Sequence, residues 1–179
     1  SIDCSAASLA DAEARVHRAG YTNVSFRKAD ICDLPYRPGS FDHVFVCFVL
    51  EHLPDPAGAL AALKAVLKPG GTITVIEGDH GSALFHPDSA CARRAIGCLV
   101  ALQNEAGGNA LIGRELFPLL SGAGFSGVSV SPRMVYADAS RPDLVDGFTR
   151  QTFTAMVAGV RDAALGRGLI SRADWDRGI

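Results

Sequence analysis

The chain predicts an α/β fold, a mostly parallel sheet with flanking helices, and three observations carry the prediction. Segments with strand patterning alternate with segments of helical spacing over residues 1–77. Residues 41–50 form a nearly unbroken apolar run, as a parallel strand covered on both faces should. Glycine stops and capping residues separate the segments.

In chain order, Ser1, Ile2 and Asp3 read as the end of a strand. A helix follows over about residues 5–19, with Leu9, Ala12, Val16 and Ala19 on one face and Gly20 as its left-handed stop. Residues 23–29 alternate as a strand does, and residues 41–50 give the next strand. Asp55 and Pro56 supply a helix cap and a first-turn proline, and Leu60, Leu63, Val66 and Leu67 share one side of the helix behind them. Pro69, Gly70 and Gly71 break that helix, and residues 72–77 are rich in β-branched side chains.

After Gly78 the pattern becomes mainly helical. Residues 88–102 read as an amphipathic helix with Ala92, Ile96, Leu99 and Val100 on its apolar side. A shorter helix covers about 114–120. Residues 128–136 make a strand candidate whose Pro132 suits an edge or a bulge. Residues 144–165 read as one further helix. The expectation is a single domain over 1–179, with a helical cap or insertion at about 82–110 and a C-terminal helical segment at about 142–168.

Composition narrows the function. The 179 residues are 48% hydrophobic and 20% charged, enough apolar material for a sizeable core. Seventeen basic and 19 acidic side chains give a net charge of −2, no general field for nucleic acid or acidic lipid. From Arg114 onward eight arginines are matched by seven acids, a mixed surface and not a basic groove. No apolar run reaches the roughly 20 residues of a membrane helix, and no basic-then-apolar leader is visible. Cys4, Cys32, Cys47, Cys91 and Cys98 form no C-x-x-C pair and read as reduced, mostly buried thiols of a cytoplasmic protein.

In an open parallel sheet, ligands bind beyond the carboxyl ends of the strands. Those ends carry Asp3, Asp30, residues 47–52 and residues 77–80. Asp3 precedes a helix, so it suits either a cap or a carboxylate that accepts both hydroxyls of a ribose. Asp30 suits either a turn closed on its own backbone or an acceptor for an adenine amino group, with the Ile31 N–H donating beside it. His52, Asp79 and His80 are the candidates for proton transfer, each with a packing or turn role as its alternative. His80 and His86 lack the carboxylate or cysteine spacing of a metal site, so no metal is expected.

Four stretches taken together resemble the class I S-adenosylmethionine-dependent methyltransferases, in the branch that holds small-molecule enzymes. They are A-D-I-C-D-L-P-Y (29–36), F-D-H-V-F-V-C-F-V-L-E-H-L-P-D-P (41–56), V-L-K-P-G-G-T-I-T-V-I-E (66–77) and I-G-R-E-L-F-P-L-L-S-G-A-G-F (112–125). The resemblance implies a Rossmann-like sheet and S-adenosylmethionine as cofactor. It would place Asp3 on the ribose with Cys4 beside it, Asp30 and Ile31 on the adenine, and the backbone around Cys47 and Phe48 along the methionine portion. It assigns the Lys68–Gly71 turn a structural role only. The family's first strand and glycine-rich loop are expected ahead of Ser1, so the sequence reads as a fragment of a longer chain, expected to bind the cofactor weakly or not at all on its own, with methyl transfer belonging to the parent chain.

The reaction implied is methyl transfer to a small molecule, with a possible homodimer and no nucleic-acid or membrane partner. The protein must align the reactants and exclude water, and a base is needed only where the acceptor loses a proton. The region 82–110 and the helices after Tyr136 would set the acceptor, with Phe85, Tyr136 and Phe148 as candidate pocket aromatics. Two other readings compete. One is a nicotinamide-dependent dehydrogenase, although the Tyr-x-x-x-Lys pattern of the short-chain group is missing. The other is a non-catalytic methyltransferase-like module that binds a partner or helps form a dimer.

Overall fold

A computed structural model describes residues 1–179. The chain divides into two compact units. The first comprises residues 1–46, 55–75 and 118–128, and the second residues 47–54, 76–117 and 129–179.

The first unit is built from two strand–helix–strand crossovers. Strand β1 (Ile2–Asp3) leads through helix α1 (Ala6–Arg18) to β2 (Arg27–Lys28), which pairs with β1 in parallel, Ile2 opposite Arg27 and Asp3 opposite Lys28. Ser5 caps α1 by accepting the Ser8 N–H, and Gly20 ends it at φ +80°. Strand β3 (Phe41–Cys47) leads through α2 (Pro56–Val66) to β4 (Leu67–Ile76). Ser40 N donates to Val66 O at one end of this pair and Phe48 N to Ile76 O at the other, so these strands are also parallel. β4 spends two more residues than β3 over that span, and the surplus falls where Gly70 turns at φ +76°. A Cβ on Gly71 would come within 3.0 Å of Lys68 O and 3.2 Å of Asp42 O, so the Lys68–Gly71 turn requires glycine there. Asp55 accepts the Gly58 N–H as the cap of α2, and α2 buries Ala59, Leu60, Leu63 and Val66.

The second unit is helical. Helix α3 (Ala90–Glu105), capped by Ser89, packs against α8 (Arg172–Gly178). Ala95, Cys98, Leu99, Val157, Ala164, Ile170 and Trp175 form its core. Between α3 and α8 run α4 (Leu116–Gly122), which crosses into the first unit, and the short helices α5 (Pro142–Leu144), α6 (Ala155–Gly159) and α7 (Arg161–Gly166).

Several expectations need correction. The sheet comprises two separate parallel pairs. Residues 23–29 pair only at Arg27 and Lys28, and the strand from Phe41 ends at Cys47 instead of 50. β3 is not covered on both faces: Phe45 is 60% exposed, because each strand has only one neighbour and little packs over the pair. Residues 128–136 form no strand, because their backbone finds no partner ladder; Met134 and Tyr136 stand 75% and 63% exposed. The helix expected over 144–165 is broken. Residues Val145–Thr154 wind as a π-helix, in which Thr152 Oγ1 donates to Gly147 O and Gln151 Nε2 to Asp146, both at the matching spacing of five. Val160 then interrupts the remaining turns. α8 was not foreseen, although Ser171 caps it through Asp174 N. Among the cysteines, all free thiols, only Cys98 is buried; Cys4 and Cys32 are exposed on turns of the first unit.

Candidate functional site

In the first unit, Ala29 N donates to Asp3 O at 3.1 Å, so Asp3 and Asp30 leave the β1–β2 pair at the same carboxyl end. Asp3 Oδ1 accepts the Ser5 N–H at 2.7 Å, and Asp30 Oδ1 accepts the Cys32 N–H at 2.8 Å. Both are the local turns expected of Asp before a helix or in a bend. In each, Oδ1 takes the backbone N–H; no backbone donor reaches Oδ2, and the Ile31 N–H has no protein partner. Cys4 lies exposed beside Asp3. The Cys32 thiol is held above its ordinary range by burial and by the charge and hydrogen bonding of Asp30.

In the second unit, Cys47 and Phe48 open the turn that carries Glu51 and His52. Phe48 sits at φ +53°, a left-handed conformation uncommon for an aromatic residue, and its side chain is exposed. Burial, with the negative charge of Glu77, raises the Cys47 thiol. Glu77 closes the turn: its Oε1 accepts the N–H groups of Val49 and Leu50 at 3.0 and 2.9 Å, and its Oε2 accepts that of Glu51 at 3.4 Å. Burial pushes the Glu77 carboxyl up, against those three N–H donors and with the Glu51 charge.

Glu51 is 5% exposed. Its Oε2 accepts from His80 Nε2 at 3.0 Å and from Gln103 Nε2 at 3.3 Å. Its backbone oxygen accepts from Gln103 Nε2 at 3.0 Å and from Asn109 N at 2.8 Å. A Cβ on Gly108 would lie 2.5 Å from that oxygen, so glycine is what lets this segment approach. The His80 hydrogen bond holds the Glu51 carboxyl below the usual carboxylate range, with burial opposing and Gln103 assisting. His52 projects to solvent, 3.8 Å from Glu51 Oε1.

Asp79 and His80 diverge in role. Asp79 forms a two-pronged pair with Arg114, Nε–Oδ2 2.9 Å and Nη2–Oδ1 2.7 Å, and accepts the Ser82 hydroxyl at 2.7 Å. Burial pushes the Asp79 carboxyl up, but Arg114 and Ser82 outweigh it and hold the group low. His80 packs its ring 6.0 Å from that of Phe153 and lines a cavity of about 590 Å³. The cavity wall combines apolar Ile96, Val100 and Leu111 with polar Asn104, Arg93 and Arg114. Of the expected pocket aromatics, Phe85 lies beneath the Arg93 guanidinium and Tyr136 beneath Arg141, while Phe148 is partly exposed; none of the three lines this cavity.

Residues 1–75 match the family described as methyltransferase domain. Those residues thus align with the domain of the class I S-adenosylmethionine-dependent methyltransferases. An uncharacterized 37.1 kDa protein of transposon Tn4556 from Streptomyces fradiae is 35% identical over 149 residues, which cover 82% of this chain and 42% of the relative. Demethylmenaquinone methyltransferase of Bacillus velezensis is 32% identical over 76 residues, 42% of this chain and 33% of that enzyme. The chain thus spans less than half the length of these curated relatives. Phosphoethanolamine N-methyltransferase 2 of Haemonchus contortus, solved in complex with S-adenosyl-L-methionine, superposes with a TM-score of 0.56 at 20% identity, over 98% of this chain and 36% of that one. That likeness identifies the Rossmann-like α/β fold of the methyltransferase domain.

The sequence placed Glu51 and Glu77 at strand ends without giving them a task. Gln103, Asn109 and Arg114 carried no signal at all, because their partners lie 35 to 58 positions away in the chain.

Proposed function

We propose that the protein takes part in S-adenosylmethionine-dependent methyl transfer to a small-molecule acceptor. The observation that carries this reading is the pair Asp3 and Asp30, which share one strand end in the matched domain and each keep one carboxylate oxygen clear of backbone donors. An ionised carboxylate only accepts hydrogen bonds, which fits ribose hydroxyls at Asp3 and an adenine amino group at Asp30, with the open Ile31 N–H donating to the ring. Cys4 flanks the sugar position. The backbone of Cys47 and Phe48, the latter at a positive φ, is assigned to the methionine portion. The bound sulfonium supplies an activated methyl group and leaves as a neutral thioether, so this chain's residues have only to position, exclude water and manage a proton.

The cavity beside His80 is the proposed acceptor site, and His80 the base for an acceptor that must lose a proton. Among the three residues proposed for proton transfer, His80 alone is both half-sheltered and on the cavity wall. Asp79 is committed to Arg114, and His52 stands in solvent.

Calorimetric titration of the full-length protein with S-adenosylhomocysteine tests the reading. Binding is expected, and Asp3→Ala should weaken it about 5- to 150-fold, the loss of about 1–3 kcal/mol from a charged hydrogen-bond partner. Unchanged affinity in Asp3→Ala removes Asp3 from the site.

A further inference from the structure

The structure assigns Glu51 as the positioning residue for His80, holding the imidazole so that Nδ1 is the atom that takes the acceptor's proton. The inference rests on the methyl-transfer reading above and adds the proton's destination and a limit on the acceptor.

The argument starts from hydrogen-bond inventory. A buried carboxylate accepts and cannot donate, so the His80 Nε2 facing Glu51 Oε2 at 3.0 Å must carry the hydrogen. A neutral imidazole with its hydrogen on Nε2 has its lone pair on Nδ1. Nδ1 makes no hydrogen bond to the protein, whereas the His80 backbone N–H is tied to Ala110 O. His80 is 12% exposed at its side chain and borders the 590 Å³ cavity, so the free lone pair belongs to a residue that an acceptor can reach.

Glu51 in turn is fixed from three sides. Gln103 bridges its carboxylate and its carbonyl, Asn109 N holds the same carbonyl, and Glu77 clamps its N–H. The other charges near His80 are occupied: Asp79 by Arg114, and Arg93 by Asp88. A buried carboxylate that orients an imidazole from behind is the general arrangement of an oriented base.

The chemistry balances as follows. The acceptor's O–H or N–H bond breaks, its proton goes to His80 Nδ1, and its electron pair forms the new bond to the methyl carbon. The carbon–sulfur pair stays on the departing thioether, and Glu51 stabilises the resulting imidazolium without taking its proton. The acceptor class is therefore a small molecule with a protonated oxygen or nitrogen nucleophile, of a size for this cavity and with an apolar side for Ile96, Val100 and Leu111.

Nitrogen-15 NMR of the full chain labelled at histidine reads the tautomer directly, with His80→Gln to assign the signal among the five histidines. Above the imidazole's titration, His80 should show a protonated Nε2 and an unprotonated Nδ1, and Glu51→Gln should move it toward a mixture of tautomers. A tautomer on Nδ1, or a mixture in the unaltered protein, overturns the assignment without any need for turnover. With an acceptor in hand, Glu51→Gln should lower kcat at least about tenfold at unchanged KM and unchanged S-adenosylhomocysteine affinity. Unchanged kcat overturns the role of Glu51 while methyl transfer stands. Failure to bind S-adenosylhomocysteine at all defeats the underlying reading, and the catalytic assignment with it.

Discussion

The carboxylates of the two units serve opposite economies of contact. In the first unit, Asp3 and Asp30 are exposed and each bonds a backbone N–H only two residues ahead, leaving one oxygen clear of backbone donors. In the second, Glu51 and Glu77 are sheltered and bond groups 26 to 52 residues away, and no fully buried side-chain polar atom is left without a partner. The difference separates exposed carboxylates bonded only to their own turns from a network that holds a side chain in place. A carboxylate with a spare oxygen at a strand end can receive a hydroxyl or an amine. A sheltered one bonded to His80 and Gln103, as Glu51 is, orients what it already touches.

The largest expected effect lies in the second unit. Glu51→Ala strands His80 Nε2 and the Gln103 amide in a buried setting, and should cost about 1–3 kcal/mol in chemical denaturation. A loss as small as that of a surface substitution would show that water replaces Glu51 freely, and the contrast between the units would dissolve.

Acid comes next. The Glu51 and Asp79 carboxyls are held low, by His80 in the first case and, in the second, by Arg114 and Ser82 acting against burial. Their stabilisation is complete above the ordinary carboxylate range near pH 4 and is lost as pH falls through the lowered values. Glu77, pushed up by burial, works the other way: its ionisation costs stability as pH rises through the interval above pH 4, so protonation there relieves the fold. The melting temperature should therefore fall on acidification below about pH 4, and Glu51→Gln should flatten that limb. A limb unaltered by Glu51→Gln would assign the acid sensitivity elsewhere.

The smallest effect belongs to the first unit. Asp3→Ala and Asp30→Ala each remove an exposed local turn bond, and the melting temperature should stay within a few degrees of the unaltered protein. Paired with the affinity loss expected of Asp3→Ala, this sharpens the comparison: the first unit's acids would matter to the ligand and not to the fold. A large destabilisation would return Asp3 to a purely structural cap.

Much of the first unit was legible because its signals are local. Ser5 and Asp55 cap the helices they precede, Gly20 stops α1, and the α2 face at Leu60, Leu63 and Val66 is buried. Where patterning alone overreached, the missing ingredient was a partner. Residues 128–136 have strand composition, yet a strand exists only when another backbone completes its hydrogen bonds. The stretch 144–165 has helical spacing, yet the five-residue bonds at Thr152 and Gln151 accompany a wider winding that spacing does not encode.

By itself the sequence determined the crossover units, their caps and turns, and the placement of Asp3 and Asp30 at strand ends, because each follows from backbone geometry over a few residues. Tertiary structure alone decided that His80 faces Glu51, that Asp79 answers Arg114, and that Gln103 and Asn109 close on the Glu51 carbonyl. Those meetings require the chain to return on itself across tens of residues, and no short-range rule of spacing selects which distant group arrives.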